Sequence, residues 1–233
     1  MQLKPAPVAA PKRSFNSTSS VFLISTISKP DVGEILFCVA VCIHDRIAQG
    51  EEAPASLKKR FAFFSEETNP MYAGPKDDSE GEAQKRLRRD LPSEEMIYHT
   101  IRSVFECAHF PFECVVVSLI YIERLIDMSS VPILITSWRP IVLASLILAQ
   151  KVWDDKSLFN VEFSIFCPML TLKEINHLEK KFLELIDYDV SVNASLYASY
   201  YFQLRTLCPS DAVDKVLDPK ASARLEVSGA ELT

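Results

Sequence analysis

The stretch FECVVVSLIYIERLIDM, residues 112–128, is where the fold is decided. Its β-branched residues Val115, Val116, Val117, Ile120 and Ile122 would by themselves suit a strand. A strand usually ends within about eight residues, whereas here the apolar character continues to Leu125 and Ile126 with no glycine or proline to interrupt it. The segment therefore reads as a helix buried on nearly every side. It is too short, and too charged at Glu123 and Arg124, to span a membrane, which takes about 20 apolar residues.

The neighbours on both sides read the same way. Upstream, Ser93 stands as an N-cap before Ile97, Ile101, Val104, Phe105 and Ala108, one face of a helix that Pro111 terminates. Downstream, Ser137 is positioned to cap a third helix through Trp153. This helix is almost uniformly apolar from Ile141 to Ala149 and carries Pro140 in its first turn, where proline is tolerated. Residues 158–167 give a short fourth helix ending at Pro168. Thr171 and Glu174 form a capping box that opens a fifth along Ile175, Leu178, Phe182 and Leu185. Five helices with short joints predict a bundle over residues 93–190.

One helix is expected on either side of that bundle. Asp31 and Glu34 have capping-box spacing, Leu36, Val39, Ile43 and Ile47 recur at helical intervals, and Gly50 offers a stop, which places a helix at 31–49. After the bundle, residues 191–208 hold a helix with Tyr197, Tyr200, Tyr201, Phe202 and Leu204, aromatics that read as core. Residues 50–92 carry Pro54, Pro70, Pro75 and Pro92 and read as a charged, irregular linker around an aromatic island of Phe61, Phe63 and Phe64. Its cluster Lys85, Arg86, Arg88 and Arg89 reads as a solvated run, with a nuclear import signal or a phosphate-binding patch as the alternatives.

Residues 1–30 read as a disordered Ser/Pro-rich tail and 209–233 as a polar one. In the first, Ser14, Ser17, Ser19 and Ser20 follow Lys12 and Arg13 and are candidate phosphorylation sites for a phosphoserine-reading adapter. No apolar run precedes Val21, so an intracellular chain is expected, cytoplasmic with the nucleus as the alternative.

Composition removes several classes of function. A formal net charge of −6 argues against a chain whose main task is gripping nucleic acid. The six cysteines form no CxxC, and they read as free thiols, most of them among apolar residues. There is no phosphate loop, no glycine-rich dinucleotide turn and no HExxH, and His44, His99, His109 and His177 are scattered. No catalytic residue, metal or cofactor is expected.

Three segments carry a resemblance: YIERL at 121–125, LAQKVWDD at 148–155 and LEKKFLELIDYDV at 178–190. Together they resemble the cyclin family and, within it, the cyclin-Y branch, in a likeness that runs over residues 94–207 and through LYASYYFQLR at 196–205. The resemblance implies a single cyclin box, all-α, in a regulatory subunit that binds and activates a cyclin-dependent kinase of the PFTAIRE or PCTAIRE type. It places Lys151 and Glu179 at the kinase interface, ringed by Val152, Trp153, Leu183 and Tyr188. A lysine offers only donors and a carboxylate only acceptors, so this pair can serve both the carbonyl and the N–H groups of a partner backbone.

Other readings stand beside it. Lys151 and Glu179 could be an ordinary surface ion pair of less than about 1 kcal/mol. The chain could be a cyclin-fold adapter that binds or sequesters a kinase, or another protein, without activating it. A cyclin-fold DNA-binding factor is a third reading, and the acidic balance opposes it.

The departures from the family are specific. Met1-Gln2 supplies no glycine for acylation, so no lipid anchor is expected. Only 43 residues follow Val190, too few for a second box of five helices. The Met-Arg-Ala-Ile-Leu motif that forms a substrate-docking groove in cell-cycle cyclins is not matched.

Overall fold

The apolar run at 112–128 is a helix, and it lies at the centre of an all-helical structure. The computed structural model describes residues 31–66, 90–167 and 170–207. The serines at 14, 17, 19 and 20, the Lys85–Arg89 cluster, Pro168 and the tails at 1–30 and 209–233 lie outside the described residues. Those described contain eight α-helices and no strand. In chain order they are α1 (Val32–Glu51), α2 (Ala55–Arg60), α3 (Glu94–Ala108), α4 (Glu113–Ser129), α5 (Trp138–Trp153), α6 (Asn160–Phe166), α7 (Leu172–Leu185) and α8 (Ala194–Leu207). All belong to one unit, Val32–Thr233.

α4 and α5 are the central pair and make the most extensive helix–helix packing. Each is apolar around its whole circumference and so requires neighbours on several sides. α4 is buried from Cys114 to Ile122 and again at Leu125, and α5 from Pro140 to Gln150. Their two buried serines are satisfied within their own helices, Ser118 donating to Val115 O and Ser145 to Val142 O, both at 2.8 Å. α1 packs on α3, α4 and α8, α7 packs on α4, α5 and α6, and α6 also meets α3. None of the described helices is long and apolar enough to cross a membrane.

Several local signals act as the sequence predicts. The Ser93 hydroxyl accepts from Met96 N at 3.1 Å and caps α3. Thr171 and Glu174 close a capping box at α7, with Glu174 N donating to the threonine hydroxyl and Thr171 N to the carboxylate. α8 covers Ala194–Leu207, and it is tied to α1 by an ion pair between Arg205 and Glu34 at 3.0 Å. Among the described residues, Cys38, Cys42, Cys107, Cys114 and Cys167 form no disulfide.

Three expectations need correction. Residues 50–66 are not irregular: α2 is followed by a 3-10 turn at Ala62–Phe64, and Phe61 and Phe64 are buried in the main core. The proline and charge content hid an anchoring role for these aromatics. Gly50 does not stop α1, which continues to Glu51, and no described glycine has positive φ. Its reason is close approach, because a Cβ there would lie 2.0 Å from Ile133 O. Ser137 does not cap α5 forward; its hydroxyl accepts from Leu134 N at 3.0 Å and closes the preceding turn instead.

Candidate functional site

The site begins where α5 stops. Gln150, 1 % exposed, is the last buried residue of the helix, and its amide ties down the chain that follows. Its oxygen accepts from Leu158 N at 2.9 Å, while its nitrogen donates to Asp154 Oδ2 at 3.1 Å and to Lys156 O at 3.2 Å. Asp154 Oδ1 in turn accepts from Lys156 N at 3.0 Å. Asp154 therefore caps the turn, and Asp155 is exposed beside it. This clamp brings α6 back alongside α7 and leaves the last turn of α5 at an edge.

Lys151 and Glu179 meet at that edge. The ammonium donates to Glu179 Oε1 at 2.5 Å, joining the end of α5 to the middle of α7, with side chains 28 % and 16 % exposed. The second carboxylate oxygen accepts from Asn160 Nδ2 at 2.6 Å, so the first residue of α6 completes the cluster. Each carboxylate oxygen keeps a further lone pair, and Lys151 has N–H donors beyond the one directed at Glu179.

The apolar residues named with the pair divide into two groups. Val152 and Tyr188 are exposed, 47 % and 60 %, whereas Leu183 is half-buried against the core. Trp153 is partly covered, because its ring stacks on Tyr197 of α8 at 5.7 Å and that ring stacks on Tyr201 at 6.3 Å. Burial, with the charge of Glu113 adding to it, pushes the Tyr197 phenol up from its ordinary value. These rings make Trp153 a seam between α5 and α8 as much as a surface residue.

Tyr188 is held in an unusual turn. Asp187 and Tyr188 have φ of 50° and 57°, left-handed conformations that cost about 1–2 kcal/mol for residues other than glycine. Hydrogen bonds to the carbonyls of the turn hold it there. Arg124 donates to Asp189 O at 2.5 Å and Ser191 O at 2.9 Å, and the Tyr121 hydroxyl donates to Val190 O at 2.8 Å. Burial pushes the Tyr121 phenol up to about 12. In the same helix Glu123 accepts two hydrogen bonds from Arg46 of α1. The segment YIERL thus fastens α1 on one side and the Tyr188 turn on the other.

Residues 96–190 match the family model described as Cyclin. The match supports the cyclin family. It begins at Met96, in the first turn of α3, and ends at Val190, whose carbonyl Tyr121 holds. A cyclin domain implies, in general terms, a regulatory and non-catalytic role exercised through a kinase partner. No solved structure gives a significant match to the chain.

Two features of the matched segment escaped the sequence reading. Phe159, the residue before α6, and Ile165 within it are 76 % and 71 % exposed, next to the polar cluster through Asn160. Their apolar character was visible, but a helix this short does not reveal which face it buries. Asn160 also gave no signal, since asparagine at a helix start ordinarily means a cap. Among the described residues no group of three or more His, Cys, Asp or Glu side chains is arranged to hold a metal.

Proposed function

We propose that the chain is a regulatory subunit that binds and activates a cyclin-dependent protein serine/threonine kinase of the PFTAIRE or PCTAIRE type. The docking face comprises Lys151, Val152, Glu179, Leu183 and Tyr188, with Trp153 at its margin. The observation that carries this reading is the joined Lys151–Glu179 pair, flanked by the exposed apolar Val152 and set within the segment that matches the cyclin family. An apolar surface around a few directional polar groups is the pattern in which binding energy concentrates.

Activation follows from the chemistry of phosphoryl transfer. The kinase lysine that contacts ATP must pair with a glutamate on a mobile helix, and the helix must be docked inward for this. A subunit that binds the inward state more tightly than the outward one shifts the population toward it, with no catalytic group of its own. Lys151 donors and Glu179 acceptors supply the polar contacts to such a helix end. Phosphorylation at Ser14, Ser17, Ser19 or Ser20, read by a phosphoserine-binding adapter, belongs to the same proposal, as does a cytoplasmic location with access to the nucleus.

The test is reconstitution of the purified chain with a PFTAIRE-type kinase domain, reading binding and phosphorylation rate together. A saturable rise in rate is expected. Binding without a rise would make the chain an adapter, and absence of binding to kinases of either type would overturn the proposal.

A further inference from the structure

Asn160 makes a choice that folding alone does not explain. From one side-chain nitrogen it donates to Glu179 Oε2 at 2.6 Å and to Asn176 Oδ1 at 2.7 Å. A primary amide has two hydrogens, so both bonds form at once. Its own oxygen is buried with no donor reaching it. A buried polar atom without a partner is destabilising, and an apolar side chain would remove that penalty only by giving up the two hydrogen bonds that the nitrogen donates. Turning the amide over would not help, because the oxygen would then face the Glu179 carboxylate. The orientation is set by the carboxylate at the expense of the amide.

We propose that Asn160 is a positioning residue of the docking site, fixing the Glu179 carboxylate so that one oxygen is occupied and the other holds the Lys151 ammonium at the face. With the plane fixed, Glu179 cannot swing between α6 and α7, and Lys151 is held close to the end of α5. Its remaining N–H donors are then available in a defined place for carbonyl groups of a partner. Asn160 touches no partner group in this account and acts only through Glu179. The geometry stands without the kinase reading; the consequence for binding rests on it.

Two measurements on the full chain separate the parts. The first is acylation of Lys151 by an amine-reactive ester, followed by peptide mass spectrometry in wild type, Asn160→Leu and Asn160→Ala, with thermal melts alongside and exposed Lys173 as the internal standard. Asn160→Leu removes the unpaired oxygen together with the two hydrogen bonds that the nitrogen donates, so it is expected to melt below wild type, and both variants are compared at a temperature where the melts show them folded. In either folded variant, Lys151 should react roughly three- to tenfold faster, the scale of losing about one hydrogen bond. An unchanged Lys151 rate in a folded variant would overturn the positioning role.

The second measurement is titration of the same proteins against the PFTAIRE-type kinase domain. Weaker binding by Asn160→Leu, at a temperature where the variant is folded, is the expected result, which a merely structural asparagine would not give. Equal binding by wild type and variant would overturn the consequence for docking. If wild type itself does not bind, the kinase reading fails while the acylation result still decides the role of Asn160.

Discussion

Within α5, residues Pro140 to Gln150 are buried without a break, while Val152 and Trp153, less than one turn further on, are open to solvent. The first stretch is enclosed by α4 and α7, which pack along it. The second has run past them, and what lies beside it is a polar cluster, Lys151 with Glu179 and Asn160. One helix therefore serves two purposes in succession. Its buried part decides whether the chain folds, and its open end decides what the folded chain can touch. Substitutions in the two parts should accordingly move different observables.

The largest contrast is between two apolar truncations. Phe182, fully buried in α7, should lose about 3–5 kcal/mol on change to Ala, whereas Val152→Ala should lose less than about 0.5 kcal/mol. Chemical denaturation of the purified chain reads both. Similar losses at the two positions would mean that the open end of α5 is part of the core after all.

Next in size is Arg124→Ala. It removes two charge-assisted hydrogen bonds to the carbonyls of Asp189 and Ser191, a loss of about 1.5–3 kcal/mol. The left-handed residues Asp187 and Tyr188 should relax as well, so faster amide hydrogen exchange is expected at 187–191 than elsewhere. Uniform acceleration across the unit would indicate general destabilisation and detach Arg124 from the Tyr188 turn.

A smaller effect separates the same turn by pH. Burial raises the Tyr121 phenol from 10.0 to about 12 in the folded chain. The folded state thus keeps a proton that the unfolded chain gives up sooner. The stability from this hydroxyl is complete below about pH 10 and is lost as pH rises toward about 12. Tyr121→Phe should therefore flatten that part of the alkaline stability curve relative to wild type. Parallel curves would remove Tyr121 as its source.

What could be read in the sequence, and what could not, follows the same division. α4 and α5 were legible because a long apolar run without breakers has few other fates, and α7 because its capping box and apolar spacing agree. Phe61 and Phe64 were not, since short helices among prolines and charges have too few residues to show a period. Lys151 and Glu179 were named through resemblance; their separation in sequence says nothing of a 2.5 Å contact. Asn160 required the folded backbone, because α6 reaches α7 only after Gln150 has closed the turn at 154–158.

The central claim is that the open end of α5 is a kinase-docking face. The direct measurement is titration of a PFTAIRE-type kinase domain with wild type, Lys151→Ala and Glu179→Ala, with thermal melts for each. Both variants should remain folded at the assay temperature, and the melts read how much stability the part-buried pair contributes. Each should nonetheless lose roughly ten- to hundredfold in affinity, the scale of about 1.5–3 kcal/mol for charge-assisted hydrogen bonds to a partner. Wild-type affinity in both folded variants would contradict the account.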